Sequence, residues 1–199
     1  MTKIPRKAVV TVAVLGGFAA AAAVAVGAGV RNSKHDFSAD GWSQEQLCLP
    51  CHVPHQAAAT QGAPLWSRSV DPGKKYLIAR GEKVGGVGSA SAVCLSCHDG
   101  SVALDSYGGV TGNVTIRSKR ARIGEGGDLS GDHPIGVAYP DGVKGYWPKS
   151  LVQARNTIRL PKGQVECISC HDVHDQSGND YMLVESNQRS NLCQACHNK

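Results

Sequence analysis

Large apolar side chains are scarce in this chain. It holds two phenylalanines, of which Phe18 lies in an apolar N-terminal stretch, so that only Phe37 remains beyond it. Methionine is as rare, with Met182 alone after Met1. No alternating run of apolar and polar residues is long enough to promise a sheet. Glycine, by contrast, is abundant, in runs such as "GEKVGGVG" and "GEGGDLSG". A chain of this kind struggles to bury enough apolar surface to offset its conformational entropy. Something other than side chains must fill its core.

Acidic residues are missing from the start. "MTKIPRK" carries Lys3, Arg6 and Lys7, and residues 8–30 carry no charge at all. A basic segment followed by an apolar one ending in small residues reads as an export signal over residues 1–30, with cleavage after Ala25 or Ala28. An uncleaved N-terminal anchor is the alternative, since the apolar stretch is long enough to span a bilayer. Removing the three basic residues takes the formal charge from +5 to +2. That excludes a nucleic-acid signature. The denser basic stretch "RSKRAR", residues 117–122, reads as a solvated loop or as partners for acidic groups of a cofactor.

No cysteine stands outside a pair. All eight fall into C-x-x-C: Cys48/Cys51, Cys94/Cys97, Cys167/Cys170 and Cys193/Cys196. A disulfide framework does not require this regular spacing. Two four-cysteine zinc sites would suit it. Neither explains why His52, His98, His171 and His197 directly follow the second cysteine of each pair. By chance, four such placements have a probability of roughly 3 in a million, which decides for the C-x-x-C-H attachment motif of c-type haem. Two thiols three residues apart on one turn reach the two vinyl groups on one edge of a porphyrin, and the adjacent histidine turns its ring to the iron. Four covalent haems c on about 170 residues also supply the missing core.

Four histidines remain: His35, His55, His133 and His174. Four six-coordinate irons need four distal ligands, so supply equals demand. Met182 reads as a packing residue. His133 in "GDHPIG" sits before a proline, on a backbone held extended. His55 and His174 each stand three residues after an attachment histidine and cannot easily wrap to the distal face of the same haem. They reach a neighbouring one.

The chain reads as two uneven half-repeats, about 31–105 and 130–199. Each has a spare histidine, then C-x-x-C-H-x-x-H, then C-x-x-C-H. The expected pairing gives His35 to the first haem, His174 to the second and His133 to the third. His55 is left for the fourth haem of another copy, a head-to-tail contact that builds a filament if it does not close. Short helices are expected over the attachment motifs and perhaps over residues 186–197. The fold class is irregular and loop-rich around a stack of four haems, with little β structure.

"KHDFSADGW", "CLPCHVPH", "APLW", "CLSCHDGSVALDSYGG", "DHPIG" and "VECISCHDVH…SNLCQACHNK", taken in this order, resemble the OmcE-like tetrahaem cytochromes of the doubled C-x-x-C-H family, subunits of extracellular cytochrome nanowires. The resemblance covers nearly all of the chain after the leader. It implies a loop-rich fold around a continuous haem stack, bis-histidine irons, and polymerisation outside the cell, with His55 ligating a haem of the adjacent subunit. The Ala-rich leader and residues 117–122 depart from that pattern and leave the export route open.

The leading reading is a non-enzymatic electron-transfer protein, polymerised on itself, exported to the cell surface or beyond. Its partners would be redox donor and acceptor proteins or extracellular acceptors, with no nucleic acid and with membrane contact only through an uncleaved leader. A monomeric periplasmic carrier is the first alternative. A multihaem reductase, which keeps an open iron position, is the second. The attachment count yields a direct test: after denaturation, the intact mass should exceed that of the processed chain by four haems. A mass matching free thiols would contradict the motif reading.

Overall fold

Regular structure is brief wherever it occurs among the described residues. The computed structural model describes residues 29–58, 62–71, 73–79, 83–85, 87–174 and 177–199, with the backbone alone for 83–85. The longest helix among the described residues is α1, Ser89–His98. Before it come two strands, β1 (Lys75–Ile78) and β2 (Lys83–Gly85). After it come β3 (Asp128–Leu129), β4 (Val137–Ala138), α2 (Lys149–Ala154), β5 (Gln164–Val165), α3 (Cys167–Cys170) and α4 (Asn191–Gln194). The architecture is loop-rich with short helices and little strand, as the composition implies.

β1 is the centre of a small sheet. It pairs antiparallel with β2, Tyr76 opposite Val84, and parallel with β3, Ile78 opposite Leu129. The two-residue alternation along β1 buries Tyr76 and Ile78. They join Val87, Ala92, Leu95 and Leu129 in one apolar cluster, with Ile123 at its edge. Gly124 closes the cluster with φ at 75°. A Cβ there would lie 3.1–3.2 Å from Tyr76, Leu129 and Leu95, so both its dihedral and its neighbours call for glycine.

A second cluster forms in the other half. β4 pairs antiparallel with β5, Val137 opposite Val165. Tyr139, Val152, Ile158, Leu160 and Ala195 pack beside them. The Tyr139 hydroxyl contacts the Trp147 and Cys196 carbonyls at 2.7 and 3.2 Å, and the Trp147 indole N–H donates to the Gln194 carbonyl at 3.0 Å. These bonds hold the 137–147 segment alongside α4. Each cluster has only five or six fully buried members, in keeping with the scarcity of large apolar residues.

The two halves meet where α1 crosses α3. Ser91 of α1 and Glu166, the N-cap of α3, are both essentially inaccessible, at 0% and 1% exposure. The Ser91 hydroxyl donates to the Glu166 carboxylate and accepts from the Cys167 amide at 2.9 Å. Ser169 completes a capping box with Glu166. The carboxylate also approaches Gly88 so closely that a Cβ there would sit 1.9 Å from Oε1.

Three attachment motifs lie on or at the end of helices, α1, α3 and α4. The first does not, which corrects the expectation of a helix over each. Cys48–His52 makes a single turn, with the His52 amide on the Cys48 carbonyl at 2.8 Å. It ends there because Val53 donates instead to Leu65 across the chain, at 2.8 Å, and Pro54 follows with no donor of its own. The helix over 186–197 is also shorter than expected, since Arg189 and Ser190 adopt left-handed φ of 51° and 61°. The expected leader, residues 1–30, lies outside the described residues except for its last two. Among the described residues no helix is long and apolar enough to cross a membrane.

The Ser91–Glu166 joint is a buried polar tie at the crossing of the two halves. Ser91→Ala should lower stability by about 1–3 kcal/mol, because the carboxylate and the Cys167 amide both lose a partner while staying buried. Guanidinium unfolding of the haem-loaded protein measures this; no shift in midpoint would mean the joint carries no stability.

Candidate functional site

One local scheme recurs at the histidine of each attachment motif. The histidine amide returns to the first cysteine carbonyl of its motif, at 2.8 Å for His52, 3.0 Å for His171 and 2.9 Å for His197. The histidine then forms an isolated antiparallel bridge with a remote residue: His52 with Trp66, His171 with Leu183, His197 with Tyr146. His98 instead accepts the Ile123 amide on its carbonyl at 2.9 Å. Both sides of each histidine's backbone are thereby fixed.

The rings are fixed as well. His52 Nδ1 lies 2.7 Å from the Pro64 carbonyl, His98 Nδ1 2.6 Å from the Ala121 carbonyl, and His171 Nδ1 3.1 Å from the Tyr181 carbonyl. In each case the acceptor sits two residues before the backbone partner of the same histidine. A carbonyl oxygen can only accept, so Nδ1 carries the proton and Nε2 keeps its lone pair. This is the arrangement that orients a metal-ligating imidazole. His197 departs from the scheme: its Nδ1 is buried with no partner, and so is that of His35.

Three of the four spare histidines face an attachment histidine. His35 faces His98 with ring centroids 5.9 Å apart, His174 faces His52 at 6.3 Å, and His133 faces His197 at 6.3 Å. An iron between two imidazoles needs centroids roughly 6 Å apart, the sum of two metal–nitrogen bonds of about 2 Å and half a ring on each side. The three gaps fit that requirement. Burial, then the neighbouring His98 and His171, hold the His35 imidazole down to about 4. Burial, then His133 and Lys199, lower His197 too. Both rings are therefore in the neutral form that offers a lone pair at physiological pH.

These pairs correct the expected assignments. His35 faces the second motif and not the first, because the Phe37–Trp42–Tyr107 ring ladder and the Tyr107 hydroxyl bond to the Trp42 carbonyl (2.6 Å) dock the N-terminal segment beside the loop that leaves α1. His133 faces the fourth motif and not the third, and the bonds of Tyr139 and Trp147 to the Cys196 and Gln194 carbonyls tie the segment that follows it to α4. His174 faces the first motif and not the second, because the crossing of α3 over α1 brings the 172–174 segment back across the first half. His133 thus faces the motif that was expected to take His55 of another copy.

Two histidines remain without a facing ring among the described residues, His55 and His171. His35 senses the charge of His171 but turns its ring to His98. His55 is exposed and lines a cavity of about 560 Å³ with Trp42, Val53, Tyr107 and Val110. His171 is exposed and flanked by Val173 and Tyr181, at 41% and 83% exposure.

The cysteines give the order of the motifs in space. Among the described residues no group of three or more potential ligands gathers as a metal cluster. Burial, with Arg68 opposing and Cys97 adding, raises Cys51. A hydrogen bond to Cys167 and burial push Cys94 well up. Burial, then Cys196, Cys167 and Cys193, push Cys170 up to about 11. The first motif thus neighbours the second, the second the third, and the third the fourth.

Sequence reasoning missed the carbonyls of Pro64, Ala121 and Tyr181, which as backbone groups leave no side-chain signal. Residues 117–122 turn out to serve His98 through Ala121, while Arg117, Lys119 and Arg120 are exposed and Arg122 pairs with Glu125 at 3.2 Å. Met182 is half-buried, and its carbonyl takes the Asp172 amide at 2.8 Å.

Residues 161–199 match the family model of the doubled CXXCH motif. The match spans the third and fourth attachment motifs and stops short of the first two. It supports a multihaem c-type cytochrome that binds covalent haem c and transfers electrons. No curated protein matches the chain.

The His133–His197 gap is tested by two variants read together. His133→Ala should convert one low-spin haem to high-spin or water-bound. In a protein that also carries Cys193→Ala and Cys196→Ala, the high-spin signal in the EPR spectrum should disappear with the fourth haem. A signal that persists there would assign His133 elsewhere.

Proposed function

We propose that the protein is a tetrahaem electron conduit that polymerises head to tail, with His55 of one copy completing the third haem site, at Cys167, Cys170 and His171, of the next. Haem iron supplies a one-electron ferric–ferrous couple. The chain's own residues hold the rings, fix their tautomers and set the order of the sites.

The observation that carries this reading is the regularity of the pairing. The leading histidine of each half faces the last motif of its own half, His35 with His98 and His133 with His197. The extra histidine of the second half faces the first motif of the half before it, His174 with His52. Continuing the rule, the extra histidine of the first half, His55, belongs with the first motif of a preceding second half. That motif ends in His171. The rule and the remainder agree, since His55 and His171 are the two histidines left over.

Such a contact is heterologous, the same pair of unlike surfaces at every junction, and so propagates unless it closes. Exposed apolar side chains flank both ends: Val110 at 65% beside His55, Val173 and Tyr181 beside His171. An iron–imidazole bond at each junction needs little further apolar area. With every histidine used, no iron keeps an open position for a substrate, which favours electron transfer over catalysis. The basic, acid-free start and apolar stretch of residues 1–30 support export, in keeping with an assembly at or beyond the cell surface that hands electrons to soluble or extracellular acceptors.

His55→Ala should leave three haems low-spin, turn one high-spin and abolish long assemblies in electron micrographs. His133→Ala should also open one site yet leave assembly intact, because its ring faces a motif of its own chain. Filaments of ordinary length with four low-spin haems in His55→Ala would sink the inter-subunit role.

A further inference from the structure

We propose that Arg68 is a positioning residue for the redox chemistry, a buried fixed charge that raises the reduction potentials of the first two haem sites. The inference rests on the covalent-haem reading and is independent of polymerisation.

Arg68 is 7% exposed, unusual for an arginine without a carboxylate partner. Nη2 donates to the carbonyl of Pro50, inside the first attachment motif, and to that of Leu104 at 3.2 Å. Nη1 donates to Cys97 Sγ, in the second motif, at 2.8 Å and to the Ala103 carbonyl at 3.4 Å. Nε reaches Ser67 Oγ at 3.3 Å. The guanidinium lies 5.9 Å from the Trp66 ring, whose edge meets His52. It therefore touches both motifs at once, and Cys51 on its other side feels its charge.

Among the described residues no carboxylate is within ion-pair distance of it. Asp105 senses Arg68, but the Val114 amide donates to its Oδ1 at 2.8 Å and the Asn113 amide also donates to it. The guanidinium is thus hydrogen-bonded by neutral oxygen and sulfur, and Asp105 opposes its charge without pairing with it. All five donors of the fork are directed at neutral oxygen or sulfur, which only a planar guanidinium arranges at this geometry.

Reduction adds one electron to an iron and leaves the protein charge elsewhere unchanged. A buried cation nearby stabilises the reduced state, and burial keeps salt from screening it. With an effective dielectric of about 20 the effect over roughly 10 Å is about tenfold in the ferrous-to-ferric ratio at fixed electrode potential. For a one-electron couple that is 59 mV. Among the described residues Arg68 has no hydrogen bond to the third or fourth motif, and those sites take a smaller share of the effect.

The experiment is a spectroelectrochemical titration of the haem-loaded protein, after intact mass and the low-spin spectrum have established four bound, six-coordinate haems. That first step tests the haem reading separately from the potentials. Arg68→Gln should move two of the four reduction steps down by about tenfold in ratio and leave the other two in place, and Arg68→Lys, which keeps the charge, should stay within about threefold of wild type. Superimposable curves for Arg68→Gln, or an equal shift in all four steps, would overturn the proposal. Should Arg68→Gln fail to mature, Asp105→Asn decides: loss of the opposing charge should move the same two steps up, and an unmoved titration overturns it.

Discussion

The hydrogen bond from a histidine Nδ1–H to a backbone carbonyl is the contact on which the ligand geometry of this chain depends. An imidazole turns freely about two bonds and has two tautomers. A useful ligand needs one orientation and one free nitrogen. At His52, His98 and His171 the chain meets both needs with the same device, a carbonyl two residues ahead of the histidine's backbone partner. The device requires no side chain and no long helix. It suits a sequence whose backbone is mostly loop.

Economy of this kind explains how so small an apolar content sustains the fold. The two clusters around Leu95 and Val152 are modest. Polar ties between loops do much of the remaining work: Ser91 with Glu166 at the crossing of the halves, Lys74 and Tyr76 with Asp99 at 2.7 and 2.5 Å beside the second motif, Arg155 and Asn191 with Glu185 at 2.6–3.0 Å near the fourth. Burial opposes ionisation of Asp99, yet Lys74, Ser101 and Tyr76 together outweigh it and hold the carboxyl below its usual range. Each tie sits within a few residues of an attachment motif. Packing and site geometry are in this respect one problem, because a loop that shifts would carry its ring with it.

The attachment cysteines and their adjacent histidines were legible outright, since C-x-x-C-H places the chemistry in consecutive letters. The count of spare histidines was legible too, and it matched the number of sites. Their partners were not. His35, His133 and His174 each face a motif other than the one expected, and the cause is non-local: a ring ladder from Phe37 to Tyr107, the bonds of Tyr139 and Trp147 to Cys196 and Gln194, a helix crossing at Ser91 and Glu166. None of these leaves a periodic trace in the sequence. The two-half repeat was nevertheless visible in the letters. Only the step that each histidine takes along the repeat had to come from the structure, and in the proposed assembly it moves the neighbour's site from the fourth motif to the third. Arg68 was passed over because a lone arginine in a loop ordinarily lies in solvent.

The central claim is that the histidine pairing rule continues from one copy to the next. A density map of the purified assembly, at a resolution that shows iron and imidazole, tests it most directly. The expected result is continuous density from the His55 ring to the iron held by Cys167, Cys170 and His171 of the adjacent copy, with His35, His174 and His133 on the second, first and fourth irons. Density that joins His55 to an iron of its own chain, or leaves it in solvent while a ring of the same chain completes the third site, would contradict the account.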